Sequence, residues 1–420
     1  MHSNYKAELL APAGSYSKLQ TAILYGADAV YAGTPDLSLR AQSSLKLDEL
    51  LEGVKLIHQN GRKIYLTLNL FAHNKDIDRL PKFIETIRTV KPDGVIIADL
   101  GVFNYVRKAA PELELHVSTQ ANICSSMTVK LWQELGAGLC VLAREVSFAE
   151  FGQIRADCPD IKLEIFVHGA MCMSYSGRCL ISNFLTGRAS NKGACAHSCR
   201  WNYKVYLEEE QRPGEFFPLE EDDKGAYLMS SKDLCLMPYI DKILASGVNS
   251  LKIEGRNKTE YYVAVASRAY KQAMLDYYSN PSSFNYLPYQ EELNKLQNRG
   301  YTDGFFNGPP SGESMTYNST LSDSDWRTVG SVSSWQSDGL LLRLKNPVVT
   351  GGTIQFVLPH SFKNINLTLP KIFDSNKEEH QRLTSGQKDS MLFIPKEYLD
   401  LAGLNQHNLP ALSVARMAIK

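Results

Sequence analysis

Cys172, Cys179, Cys195 and Cys199 stand in one stretch that reads HGAMCMSYSGRCLISNFLTGRASNKGACAHSCRWNYK, half of the chain's 8 cysteines. Thiolates gathered in this way ligate a soft metal centre, form disulfides or exchange electrons. The spacings run C-x6-C, C-x15-C and C-x3-C. Structural zinc sites are usually built from short C-x2-C pairs, and the sequence has none. Four widely and unevenly spaced thiolates suit an iron–sulfur cluster, with zinc and redox or incidental thiols as the other readings. Cys235, in SSKDLCLM, rivals Cys199 as fourth ligand because it follows the segment and can fold back to it. Cys124 and Cys140 fall in or beside regular elements and Cys158 at a helix end, so they read as core.

The same stretch has a charge pattern. From Ile165 to Tyr206 there is no Asp or Glu, while Arg178, Arg188, Lys192, Arg200 and Lys204 alternate with Tyr175, Trp201 and Tyr203. Cations interleaved with rings suit RNA, whose phosphates need countercharge and whose bases stack. Two plainer readings stand beside this one: a solvated loop, or positive charge that offsets a thiolate-bound cluster. The acidic run EEEQRPGEFFPLEEDD at 208–223 interrupts any continuous nucleic-acid surface.

A second group of polar residues is positioned by repeated elements. Apolar runs at Glu8–Gly14, Ala27–Gly33, Lys63–Asn69, Gly94–Gly101, Leu115–Asn122, Gly138–Glu145, Leu163–Ala170 and Ser250–Arg256 read as eight strands. Helical patterns lie between or after them, at Ser15–Tyr25, Leu47–Gln59, Arg79–Val90, Val102–Ala109, Ser125–Leu135, Phe148–Asp157, Leu234–Ala245 and Thr259–Tyr277. Glycines in YGADAV, LGAGLCV and SGVNSLK mark helix C-caps. Apolar strands joined by helices imply a parallel sheet, and eight units fit a closed TIM-like (β/α)8 barrel. The seventh unit carries an insertion at 171–227, which holds the cysteines. The barrel is expected over residues 1–315. The tail, 316–420, shifts to short runs at Thr328–Trp335, Leu340–Leu344, Thr353–Val357, Asn366–Lys371 and Ser390–Ile394, a small antiparallel β-barrel domain.

Chemistry in such a barrel sits at the C-terminal strand ends. Gln120, Arg144, His168 and Glu254 end predicted strands and are the candidate catalytic residues. Asn69, His73, Asn122 and Arg256, with Arg178, Arg188 and Arg200 of the insertion, are candidate substrate contacts. The plain reading is that strand ends are polar because they meet water. His168 then reads as a hydrogen-bonded structural residue, and Glu254 with Arg256 as an ion pair. No HExxH, GxSxG or evident Cys–His–Asn set for a protease is present.

The totals narrow the class. Lys+Arg and Asp+Glu are each 45, so no global field draws nucleic acid or acidic membrane. The N-terminus lacks a signal-peptide pattern, and no apolar run is long enough to span a bilayer. The expectation is a cytoplasmic protein with no membrane partner, in which clustered cysteines bind metal or act catalytically more often than they form disulfides.

ELLAPAG, GADAVY, HGAMCMSYSGRC, NKGACAHSCRW, RPGE, SSKDL and SLKIEGR, in this order, resemble the collagenase-like peptidase family U-32. The likeness runs from about Glu8 to Arg256 and, with the tail, covers nearly the whole chain. RPGE and SSKDL are most similar to the family's tRNA-hydroxylating branch. That resemblance implies 5-hydroxylation of the wobble uridine of tRNA, a 4Fe–4S cluster on Cys172, Cys179, Cys195 and Cys199, and prephenate as co-substrate. It also implies tRNA, a small organic metabolite and the iron–sulfur assembly machinery as partners. The competing implication is the peptidase (hydrolase) activity of the family's name; a non-catalytic cluster-bearing partner is the third reading.

Overall fold

A computed structural model describes residues 6–34, 44–171, 179, 181–188, 195–201, 205–208, 211, 213–214, 217–219, 231–309, 324–385 and 390–419. Cys172, Arg178 and the side chain of Arg200 lie outside the described residues.

Eight parallel strands form a closed ring: β1 (Glu8–Ala13), β2 (Ala29–Gly33), β3 (Lys63–Leu68), β4 (Gly94–Ile97), β5 (Glu114–Val117), β6 (Leu139–Val141), β7 (Lys162–Ala170) and β8 (Ser250–Ile253). β8 closes it by pairing with both β1 and β7. The strand period of two sorts the side chains into two layers. Leu9, Val30, Ile64, Leu66, Val95, Leu115 and Leu251 face the helices in the main core. Leu10, Ala29, Tyr31, Tyr65 and Ile96 form a separate cluster inside the ring.

The local signals explain where the helices start and stop. Ser15 accepts from Lys18 N, Asp99 from Val102 N, and Ser147 from Glu150 N in a capping box, so each helix begins at a strand end. Gly26, Gly136 and Gly247 take φ of +95°, +95° and +80° after their helices, which releases the chain into the next strand. The helix expected over Leu234–Ala245 is shorter, Ile240–Ala245. Pro238 disfavours helix before it, and Asp233–Cys235 is instead a strand antiparallel to the end of β7.

The tail forms an eight-stranded antiparallel sheet, curved as a half-barrel with its own core of Val332, Leu342, Ile354, Phe356 and Ile394. Among the described residues this sheet is open, running from Asn364–Thr368 to Glu379–His380. The expected boundary at 315/316 falls among residues not described. The sheet docks on the barrel's helices through fixed polar contacts. Tyr25 Oη donates to Val357 O (2.7 Å) and accepts from Val414 N (2.9 Å). Glu292 lies between Arg268 of the long helix Glu260–Ser279 and Arg416 of the last strand, Val414–Ala418.

Candidate active site

The last barrel strand supplies most of the mouth. In KIEGR, alternate residues Lys252, Glu254 and Arg256 share the face that looks into the ring. Lys252 Nζ lies 2.8 Å from Glu164 Oε1 and 4.7 Å from the centroid of the Tyr31 ring. One layer up, Glu254 Oε2 lies 3.8 Å from Arg144 Nη2 and 3.5 Å from Tyr31 Oη. Arg144 in turn stacks on Phe166, its guanidinium 4.0 Å from the ring centroid. Arg256 Nη1 donates to Thr67 Oγ1 (2.9 Å), which donates to Ala32 O. The inner pair Lys252–Glu164 cancels. The rim sets the guanidiniums of Arg144 and Arg256 around Glu254, an arrangement able to hold an anionic ligand.

Neighbouring strand ends add acceptors. Gln120 sits in a short turn held by Ser118 Oγ, and Asn122 takes φ +54° with Nδ2 donating to Gln120 O. Asn122 Oδ1 and Glu145 Oε2 are buried without a hydrogen-bond partner among the described residues. Burial pushes the Glu145 carboxyl above the ordinary carboxylate range. Asn69 is buried directly after β3; His73 is exposed and begins the short helix Asn74–Ile77.

His168 is not brought into this mouth. Lys252 pairs with Phe166 but Ile253 pairs with His168, a bulge that turns His168 to the helix side with Ile253. Its ring packs among Tyr262, Tyr270 and Tyr301, with centroids 5.7, 5.6 and 5.4 Å away. Burial, with the charge of Lys258, lowers its pKa to about 3, so it is a neutral aromatic filler rather than a base at neutral pH. Gly169 follows at φ +118°, where a Cβ would meet Glu254 O at 2.4 Å. The bulge, the glycine and Glu254 thus form one close-packed unit.

The insertion leaves and re-enters at this point. Asp233–Cys235 pairs with His168–Ala170, and Ser231 Oγ donates to Met171 O (3.0 Å), so both ends of the insertion are clamped at the C-terminal end of β7. Within it, buried Ser182 ties the helix Ile181–Thr186 to the cysteine segment. Its hydroxyl donates to Arg188 O (2.8 Å) and accepts from Ala196 N (2.9 Å). Cys179, Cys195 and Cys199 are half-buried and in no disulfide among the described residues. His197 N donates to Cys195 Sγ (3.4 Å). Reduced cysteine sulfurs in a segment without acids fit the donor set of an iron–sulfur cluster. Cys235 is buried on the helix side, its sulfur 3.4 Å from Gln290 Oε1 and 3.8 Å from Tyr270 Oη. Burial pushes that thiol up to about 11, away from the thiolate a metal requires. Arg188 is exposed at the end of the insertion helix.

Sequence reasoning missed Tyr31, Thr67, Glu164 and Lys252. The signal for the last two was present: a charged residue within an otherwise apolar strand.

The model of Peptidase family U32 matches residues 14–316. The chain is 35% identical over 415 residues to tRNA hydroxylation protein P of Escherichia coli, a match covering 89% of this chain and 90% of that protein. It is 37% identical over 378 residues to tRNA hydroxylation protein P1 of Bacillus subtilis, covering 89% and 88%. It is also 32% identical over 319 residues to a protein of Porphyromonas gingivalis named Collagenase, covering 73% and 75%.

Proposed function

The chain belongs to peptidase family U32, and from that premise we propose that it is an RNA-modifying enzyme that hydroxylates tRNA. One observation carries the reading. The match to the two tRNA hydroxylation proteins covers 89% of the chain, beyond the family domain and into the β-sheet domain. The match to the protein named Collagenase covers 73%, about the share of the family domain. Among the described residues, the ligand-type group of Asp374, Glu378 and His380 is on the half-barrel sheet, outside the mouth, and His168 faces tyrosines. Neither suits peptide hydrolysis.

In finer detail, the reaction is 5-hydroxylation of the wobble uridine with prephenate as co-substrate. Arg144 and Arg256 bind the carboxylates of the small donor. Glu254 holds the Arg144 guanidinium against Phe166, which orients it without cancelling its charge. Asn122 Oδ1, buried without a hydrogen-bond partner among the described residues, accepts from N3–H, the single ring N–H of a uridine. Cys172, Cys179, Cys195 and Cys199 hold a 4Fe–4S cluster. Such a cluster supplies one-electron redox chemistry beside the mouth. The metal claim is checked by iron and sulfide analysis of protein purified without air.

The function is tested by nucleoside mass spectrometry of tRNA from a deletion strain. Loss of 5-hydroxyuridine-derived nucleosides, restored by the wild-type gene but not by Arg144→Ala, is expected. An unchanged nucleoside profile refutes the reading.

A further inference from the structure

A cleft of about 610 Å³ opens between the barrel and the β-sheet domain. One wall is the loop Asn257–Thr259 and the first turn of the helix Glu260–Ser279. The other wall is the strand Trp326–Gln336 with Lys345 and Asn346. The volume is that of a small-ligand site, enough for a short stretch of single strand. Three cations line it, Lys258, Arg327 and Lys345, against one carboxylate, Glu260. Glu260 is engaged already, accepting from Ser17 Oγ at 3.0 Å.

Arg327 Nε is buried without a hydrogen-bond partner among the described residues, and Lys345 lies near enough to Glu260 to help lower its carboxyl. The amides of Asn257, Gln297 and Asn346 also line the cleft, with the rings of Tyr261, Tyr262 and Trp326 in its walls. Cations, amides and rings together are the lining that single-stranded nucleic acid uses. Position adds to composition. Arg256 is in the mouth, and Asn257 and Lys258, the next two residues, are in the cleft.

We propose that this cleft holds the RNA backbone adjoining the nucleotide in the mouth, with Arg327 and Lys345 on phosphates. The proposal rests on the RNA reading above and assigns the docked β-sheet domain a binding role. The strand runs from the barrel mouth over the 256–258 loop and into the interdomain space.

The test measures binding of a fluorescein-labelled anticodon stem-loop RNA by anisotropy, from about 50 to 300 mM KCl. Each single-strand phosphate contact contributes about 0.7 to the log–log salt slope. The R327Q/K345Q double variant is expected to bind several-fold more weakly near 100 mM, with a slope shallower by about 1.4. K345Q alone, at an exposed position, should lose about half of that slope and keeps the test valid if the double variant folds poorly. K371Q, on the far part of the β-sheet domain, should match wild type. Unchanged slopes in both cleft variants, an equal loss in K371Q, or competition by polyglutamate as strong as by unlabelled RNA would each overturn the proposal. The readout needs no modification chemistry. A deletion strain with normal nucleosides beside the expected slope loss defeats the hydroxylation reading alone. Full complementation by the double variant with an unchanged slope defeats the cleft alone.

Discussion

Replacing Glu292 by Gln should loosen the two domains from each other. Glu292 is buried and receives Arg268 Nη2 at 2.8 Å, Arg416 Nη2 at 2.9 and 3.0 Å, and Asn364 Nδ2 at 2.9 Å. Lys295 Nζ completes the set. Every neighbour is a donor, so an amide in place of the carboxylate turns an NH2 toward donors and leaves two buried guanidiniums without countercharge. Removing one partner of a buried ion pair costs about 3–5 kcal/mol. The titration gives a second measure. Burial alone would raise the Glu292 carboxyl, but Arg416, then Arg268 and Lys295, outweigh it and lower it from 4.5 to about 2. At 1.36 kcal/mol per pKa unit that is about 3 kcal/mol, within the same range.

The sign fixes the pH window. A carboxyl depressed in the folded state stabilises fully above about 4.5, and its contribution is lost as pH falls toward about 2. Urea unfolding followed by tryptophan fluorescence is a suitable assay, because Trp326 stacks on Arg416, its ring centroid 4.9 Å from the guanidinium carbon. E292Q should lose about 3 kcal/mol in the first transition at pH 7, and the gap to wild type should close in acid. The same variant should weaken RNA binding, since docking sets the cleft. A loss under about 1 kcal/mol at pH 7, or a gap that persists near pH 2, would refute the clamp.

Three further outcomes are expected. Glu8, under Tyr65 inside the ring, is raised to about 7 by burial, which Lys63 offsets only in part. A carboxyl raised in this way costs stability as pH climbs from about 4.5 to 7, so Glu8→Gln should match wild type at pH 4 and exceed it by about 3 kcal/mol at pH 8 in urea unfolding. Cys195→Ala should abolish bound iron and sulfide in anaerobically purified protein, whereas Cys235→Ala should retain both; equal losses would restore Cys235 as a ligand. His168→Phe should complement a deletion strain in nucleoside analysis, because the ring already serves as neutral filler; loss of modification with an unchanged melting temperature would return His168 to the chemistry.

The parts of the fold that depend on local signals were legible in the sequence. Each barrel strand was visible as an apolar run, and helix ends were visible as Gly26, Gly136 and Gly247. What depended on pairing was not. The direction of His168 is fixed by a bulge against β8, which one strand's sequence cannot show. The strand Asp233–Cys235 exists only because β7 runs past the ring and leaves an edge to pair with. The open edge that the β-sheet domain has among the described residues likewise follows from strand order, not from strand propensity.

That extra strand also orders the chemistry. β7 carries Phe166 under Arg144 on its inner face and His168 on its outer face, and its end pairs with the strand that closes the insertion. Gly169 is the residue at which these layers touch, with no room for a side chain against Glu254 O. Glu254 in turn lies 3.8 Å from the Arg144 guanidinium, so the strand end that leads into the cysteine segment packs directly on the carboxylate beside the anion site. The bulge that turns His168 away from the mouth is followed at once by Gly169, the point of contact with Glu254. Substituting Gly169 by Ala should accordingly disturb both at once, lowering iron content and tRNA modification together; a variant that lost only one of them would show that the two sites are independent.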